Sequence, residues 1–198
     1  MENRNLKEKQ GRLKIVLSDR EDITNYLIEA VNQAKDRIVV ELPPGTFYVS
    51  TTIELNHHSI SIVGNQTTLV FTGSGSLFHT YYTCTIKDLK LLGAKRDPDS
   101  AAIKVARKDD MAQGGCYFKG LTIEDCRNGI IIAAPIEIDN DVTNFGASVI
   151  EDCSINITPS YSENLDRIGI SIECLRRFRK AKKIDLRKFS YDLNLSRC

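Results

Sequence analysis

The sequence has no long apolar run and no apolar leader. Across 198 residues, no stretch approaches the ~18 consecutive apolar residues that a membrane span needs, so we expect no membrane span. The N-terminus, "MENRNLKEKQGRLK", is polar and has no apolar h-region, so we expect no secretory signal. The length predicts a single domain that is large enough to bury a core.

Metal-binding cysteine motifs are also missing. The six cysteines, at positions 84, 116, 126, 153, 174 and 198, form no CxxC pair and no zinc-ligand spacing. This pattern argues against zinc and redox chemistry. We expect reduced, buried thiols and no cofactor.

Charge is distributed unevenly along the chain. The net charge is +1, yet residues 175–198 carry nine Lys or Arg residues against Asp185 and Asp192. A basic stretch such as "RRFRKAKK" could meet a polyanion, but it is also typical of a solvated face. No aromatic–basic pattern accompanies it, so we expect no nucleic-acid partner.

Short apolar–polar–apolar triplets recur along the chain, as strands with one buried face do. One series aligns Ile60–Ile62, Leu89–Leu91, Leu121–Ile123, Cys153–Ile155 and Leu193–Leu195. A second series aligns Ile103–Val105, Ile130–Ile132 and Ile170–Ile172. Short strands with turn residues at their corners, and no helix between them, predict an all-β coil in which each strand pairs with its counterpart one turn later.

Turn-forming residues precede the first series at Asp88, Gly120, Asp152 and Asp192. Gly and Asp both tolerate left-handed or tight-turn conformations. An acid that is replaced by glycine in the next repeat is typical of a corner and not of a catalyst. We therefore expect these residues to be structural.

An amphipathic helix is predicted within "DITNYLIEAVNQAKD" (22–36), with Asp22 or Thr24 near its N-cap. Such a helix can cover the exposed end of a stack of strands. The segment "LPPGTFYV" (42–49) then predicts a corner followed by a strand, because two prolines and a glycine end the helix-forming region.

This beginning resembles the pectate-lyase-like, right-handed parallel β-helix superfamily, in the branch of phage tailspikes and polysaccharide depolymerases. The matching positions are Val40, Leu42, Pro43, Pro44, Gly45, Phe47 or Tyr48, Val49 and Gly64. The resemblance implies a single-stranded β-helix of about five short coils with an N-terminal capping helix. It divides the chain into an N-terminal arm (1–19), a capping helix and leading strand (20–50), coils (51–173) and a basic C-terminal segment (174–198), which is either a cap or a truncated last coil.

The resemblance also implies a function. We expect a tailspike-like protein that binds, and in one reading cleaves, a cell-surface or cell-wall polysaccharide. A phage or prophage virion tail, released by lysis, would need no signal peptide; otherwise the protein is cytoplasmic. A homotrimer is implied by the resemblance alone. The alternatives are a polysaccharide lyase or glycoside hydrolase, and a non-catalytic structural or truncated β-helix module.

Catalysis on such a coil needs acids on its outer side. The segment "PIEIDND" (135–141) places Glu137, Asp139 and Asp141 on one face, and Glu124 is a lone carboxylate among small polar residues. These four are the candidate catalytic residues, in keeping with the carboxyl pairs of glycosidases. Asp109 and Asp110, in the preceding turn, are candidate substrate-binding residues. The same acids could bind calcium, although they are also typical of a solvated edge.

Aromatic rings provide surfaces on which sugar rings stack. Tyr81, Tyr82 and Tyr117 are the candidate substrate-binding aromatics. The competing interpretation is that these rings fill the core at the corners of the coil. His57, His58 and His79 carry no pattern that distinguishes them from turn or surface histidines.

Overall fold

The structure is a computed structural model that describes residues 6–9, 12–15, 20–33, 38–57, 59–97, 100–106, 115–132, 148–156, 168–172 and 193–196. Within these ranges the chain forms one helix and sixteen strands, which confirms the all-β prediction. In chain order these are β1 Leu6–Lys9, β2 Arg12–Ile15, α1 Thr24–Gln33, β3 Val39–Glu41, β4 Gly45–Val49, β5 Ile53–Leu55, β6 Ile60–Phe71, β7 Phe78–Thr80, β8 Cys84–Leu92, β9 Ala101–Val105, β10 Tyr117–Lys119, β11 Thr122–Glu124, β12 Asn128–Ile132, β13 Ser148–Glu151, β14 Ser154–Asn156, β15 Ile168–Ile172 and β16 Leu193–Ser196.

The described strands form two sheets. From β5 onward, the chain passes back and forth between them. The first sheet runs β1-β2-β3-β6-β8-β10-β13-β16, with β4 beside β6 and with β11 between β8 and β14. The second sheet runs β5-β7-β9-β12-β15. Every pairing except that of β1 with β2 is parallel.

Columns of in-register side chains form the core. In the first sheet, Val40, Ile62, Ile86, Phe118 and Ile150 are paired one after another, and each is fully buried. In the second sheet, Ile53, Phe78, Ile103 and Ile130 form an equivalent buried column. Neighbouring strands lie ~4.8 Å apart, so each side chain packs directly on the next and excludes water along the column.

The second predicted series is confirmed throughout. Ile103–Val105 pairs with Ile130–Ile132, which pairs with Ile170–Ile172, residue by residue.

The first predicted series is correct in its middle and wrong at both ends. Lys90 pairs with Thr122 and Thr122 with Ser154, as the repeat predicts. Ile60 pairs with Cys84 instead of Leu89, and Leu193–Leu195 pairs with Ser148–Ile150 instead of Cys153–Ile155. The mismatch at Ile60 arises because β6 is a long strand with a register shift between Val63 and Thr67, so two of its segments pair with β8.

The corner interpretation is confirmed where the structure describes it. Asp88, Gly120 and Asp152 have φ values of 58°, 61° and 53°, in the left-handed region. Gln66 has φ 55° and precedes Thr67, just as Asp88 precedes Leu89, the partner of Thr67. Gln66 therefore forms the equivalent corner one strand earlier. Asp192 lies outside the described residues.

The predicted helix is present as α1, and its N-terminus is capped by Asp22. The Thr24 backbone N–H donates to the Asp22 carboxylate at 2.9 Å. Burial favours the neutral carboxyl, but hydrogen bonds from Thr24 and Ser50 outweigh that effect and lower the pKa of Asp22. Leu27, Ala30 and Val31 of α1 join the buried core.

The segment before α1 protects the free edge of β4. The Arg20 N–H donates to the Thr46 carbonyl, and Tyr48 and residues 21 and 23 exchange two further backbone bonds. The Pro43–Pro44 corner leads from β3 to β4 as predicted, and the Thr67 hydroxyl donates to the Pro43 carbonyl at 2.7 Å. The N-terminal arm holds β1 and β2, two strands that the repeat did not predict, and β2 extends the first sheet beside β3.

The prediction of buried thiols is confirmed for Cys84, Cys116, Cys126 and Cys153. Cys174 and Cys198 lie outside the described residues. Burial raises the pKa of Cys126 to about 11, which keeps this thiol protonated and unreactive at neutral pH.

Candidate functional site

Four of the nine predicted site residues fall in the described part of the chain: Glu124, Tyr81, Tyr82 and Tyr117. The candidate catalytic acids Glu137, Asp139 and Asp141, and the candidate substrate-binding acids Asp109 and Asp110, lie outside it. The roles proposed for these five acids therefore stay predictions.

Tyr117 and Glu124 belong to one surface, which we call the polar face. Alternate side chains of β8, β10, β11, β13 and β14 point away from the buried columns and are partly or fully exposed. They are Thr85, Lys87, Lys90, Leu92, Tyr117, Lys119, Thr122, Glu124, Val149, Glu151, Ser154 and Asn156. Because the strands are in register, these side chains form rows ~4.8 Å apart.

A hydrogen-bonded group occupies the centre of the polar face. Tyr117 and Lys119 are two residues apart on β10, and both reach Glu151 on β13. The Tyr117 hydroxyl donates to Glu151 Oε2 at 2.8 Å, and Lys119 Nζ donates to Glu151 Oε1 at 3.2 Å. Lys119 Nζ also lies 3.8 Å from the Asp152 carboxylate at the next corner.

Glu151 shifts the pKa values of both partners in this group. Its hydrogen bond raises the pKa of the Tyr117 phenol and the pKa of the Lys119 ammonium. A phenol and an ammonium are protonated at neutral pH even without these shifts, and the shifts extend that state to higher pH. The group presents a ring, a cation and a carboxylate at fixed mutual positions.

Glu124 pairs with a lysine and not with a second acid. Its carboxylate lies 2.7 Å from Lys90 Nζ on the neighbouring strand, and the two side chains are 39% and 41% exposed. An ion pair this exposed contributes only about 0–1 kcal/mol to stability. It does, however, hold both side chains upright on the polar face.

Tyr81 lies in a different group, on the second sheet. Its ring packs against His79 with centroids 4.5 Å apart, and His79 Nδ1 lies 3.1 Å from Glu54 Oε1. Glu54, His79 and Lys104 occupy paired positions on β5, β7 and β9. Burial and the charge of Glu54 raise the pKa of Tyr81.

The Glu54–His79 pair was not predicted from the sequence. An ionised carboxylate only accepts hydrogen bonds, so His79 Nδ1 is the donor to Glu54. His79 Nε2 is buried and has no hydrogen-bond partner among the described residues. Glu54 and His79 are 25 residues apart, and only the register of β5 and β7 brings them together.

Tyr82 contributes its backbone to the core. Its carbonyl accepts from the Thr80 hydroxyl at 2.9 Å and from Cys116 Sγ at 3.6 Å. The Tyr82 carbonyl therefore lies beside Cys116, the residue before Tyr117. Tyr82 itself belongs to the corner that leads into β8.

Over the described ranges, no three His, Cys, Asp or Glu side chains converge as metal ligands would. The calcium prediction depends on acids outside those ranges and stays a prediction. Among the residues described, no helix is long and apolar enough to cross a membrane.

Comparisons with known proteins give no match. No protein-family model fits the chain, and neither a curated protein nor a solved structure is similar to it at a significant level. The resemblance to the pectate-lyase-like superfamily therefore stays a prediction that depends on the residues named above.

Proposed function

We propose that the chain is a right-handed parallel β-helix of about five coils with α1 as its N-terminal cap, and that its polar face binds a polysaccharide. The alternation of the chain between two parallel sheets supports the coil. Each strand of the second sheet pairs with the strand of the next circuit, as Ile103, Ile130 and Ile170 do. Two sheets built in this way need no helical crossovers between their strands.

The Tyr117–Lys119–Glu151 group carries the functional part of the proposal. Sugars combine hydroxyl groups, which donate and accept hydrogen bonds, with C–H faces that pack on aromatic rings. Glu151 holds the Tyr117 ring and the Lys119 ammonium in place before any ligand arrives. Such preorganisation lowers the entropic cost of binding.

The charges of the polar face favour binding over cleavage. Glycoside hydrolysis uses two carboxyl groups that face the same bond, ~5–5.5 Å or ~6.5–9.5 Å apart. On the described polar face, Glu124 is paired with Lys90 and Glu151 with Lys119. The alternative function remains a lyase or glycoside hydrolase, carried by Glu137, Asp139 and Asp141 or by Glu124.

A tailspike-like role extends the same proposal. In it the protein is a virion tail component, outside the cell after lysis, and assembles as a homotrimer. Size-exclusion chromatography with light scattering tests the assembly, and a monomer at every concentration would contradict it.

Binding to a panel of pectins, alginates and capsular polysaccharides tests the function. We expect at least one of them to bind the wild-type chain, with affinity at least about tenfold lower for Lys119→Ala. Lys104→Ala is the matched control, because Lys104 lies on the second sheet, and we expect its affinity to be unchanged.

Product analysis in the same incubations separates binding from cleavage. Reducing ends or unsaturated products that disappear in the Glu137→Gln variant would favour the enzyme. Equal loss of affinity in both lysine variants, or no binding to any polysaccharide, would contradict the proposed role of the polar face.

A further inference from the structure

Two thiols meet in the core directly beneath the polar face. Cys84 begins β8, and Cys116 immediately precedes β10. Their sulfur atoms lie 3.7 Å apart although the residues are 32 positions apart in the chain. Each side chain is almost fully buried, at 1% and 2% exposure.

Backbone pairing fixes the two cysteines opposite each other. The next residues, Thr85 and Tyr117, are in register, so Cys84 and Cys116 are neighbours in the same column. In-register residues of adjacent strands have Cα atoms ~4.8 Å apart, inside the ~4.4–6.8 Å range of disulfides. A bond between these sulfur atoms therefore needs side-chain rotation and only a small movement of the strands.

The other two described thiols donate to backbone carbonyls. Cys126 Sγ donates to the Glu124 carbonyl at 3.3 Å, and Cys153 Sγ donates to the Glu151 carbonyl at 3.2 Å. Cys84 and Cys116 lie within contact of each other.

We propose that Cys84 and Cys116 form an oxidisable pair, which a peroxide converts to a disulfide that links β8 to β10. This device is independent of polysaccharide binding. The proposal changes the expectation from the sequence that the thiols are purely structural. The pair is reduced in a reducing compartment and forms a covalent link between the strands in an oxidising one.

The chemistry balances with hydrogen peroxide as the oxidant. The Cys116 thiolate attacks one peroxide oxygen, the O–O bond breaks, and Cys116 becomes a sulfenic acid with release of hydroxide. The Cys84 sulfur then attacks the Cys116 sulfur, the S–O bond breaks, and the second hydroxide leaves. The protons of the two thiols convert both hydroxides to water, and the two thiols have lost two electrons to the peroxide.

The order of the two steps follows from the hydrogen bonds. Cys84 donates to Cys116, and Cys116 donates to the Tyr82 carbonyl. The hydrogen bond from Cys84 lowers the pKa of Cys116 against the opposing effect of burial, whereas the same bond and burial raise the pKa of Cys84. Cys116 is therefore the first nucleophile. Thr83 and Gly115, which directly precede the two cysteines, are partly exposed.

Peroxide treatment of the folded, full-length chain tests the proposal. We expect peptide mass spectrometry to find a Cys84–Cys116 cross-link that has lost two hydrogens. We also expect the melting temperature to rise by several degrees, because the link closes a long loop, and to fall back after reduction with dithiothreitol.

Two matched variants complete the experiment. Cys126→Ser keeps the pair and should behave as the wild type, whereas Cys116→Ser should give neither the cross-link nor the thermal shift. Ser148 already occupies the position opposite Cys116, so the column accommodates serine. The proposal is overturned if the folded wild-type chain keeps both thiols, oxidises them without a cross-link, or forms the cross-link only after unfolding.

Discussion

Asp88 and Gly120 adopt the same left-handed backbone conformation on neighbouring strands, with φ values of 58° and 61°. A Cβ atom added to Gly120 would lie 2.7 Å from Asp88 Oδ1. The corner therefore repeats from one strand to the next, while the residue that forms it changes from an acid to a glycine. This relationship is why an acid at the corner need not be a catalyst.

Replacing Gly120 tests the corner. Gly120→Ala places a Cβ in a left-handed conformation, so we expect a loss of about 1–2 kcal/mol in the free energy of unfolding, measured with denaturant. Gly120→Asn is the matched control, since Asn tolerates this conformation, and we expect it to lose much less. Equal losses in both variants would show that side-chain crowding, and not backbone strain, sets the cost.

Asp22 provides a pH-dependent prediction. Asp22→Ala removes the acceptor for the Thr24 N–H, and we expect a loss of about 1 kcal/mol at pH 7. The pKa of Asp22 is lower in the folded state than in the unfolded state, so the charged carboxylate stabilises the fold. This stabilisation is fully present above the ordinary Asp pKa of ~3.9, and it is lost as the pH falls through the lower pKa of the folded state.

Asp22→Asn is the control for the charge, because it keeps an acceptor for the cap. We expect the stability difference between the wild type and Asp22→Asn to shrink between about pH 5 and pH 2. A difference that stays constant over this range would contradict the assigned role of the carboxylate.

Replacing Phe118 tests whether the buried column is packed. Phe118 is fully buried between Ile86 and Ile150, so we expect Phe118→Ala to lower the free energy of unfolding by about 3–5 kcal/mol. Thr122→Ala changes an outward residue of the next strand, and we expect an effect within about 0.5 kcal/mol. Similar effects of the two substitutions would mean that β10 does not face a packed core.

Periodicity predicted β9, β12 and β15 of the second sheet, because each contains an apolar triplet close to turn residues, but it did not predict β5 and β7. The structure bears out the predicted alignment of Ile103, Ile130 and Ile170. Periodicity failed at Ile60 because β6 carries the same alternating pattern at both ends, around a register shift. Whether Ile60 pairs with Cys84 or with Leu89 depends on where the chain bends. The alternation of apolar and polar residues does not reveal the position of that bend.

The candidate site was only partly predictable for a similar reason. Tyr117 and Glu124 could be chosen because they are an aromatic and an acid at outward positions of predicted strands. Glu151 and Lys119 were missed, since their importance comes from contacts between residues 32 positions apart. The same holds for the Glu54–His79 pair, which depends on the register of the second sheet.

The stacking of successive circuits is tested most directly by methyl NMR of a chain labelled at the isoleucine δ1 methyl groups. We expect nuclear Overhauser contacts within the pairs Ile62–Ile86, Ile103–Ile130 and Ile123–Ile155, whose members are in register on adjacent strands. The Ile123–Ile155 pair reports on β11 and β14 in particular. Contacts in all three pairs would support the coil; absence of these contacts in a folded chain with assigned methyl signals would contradict it.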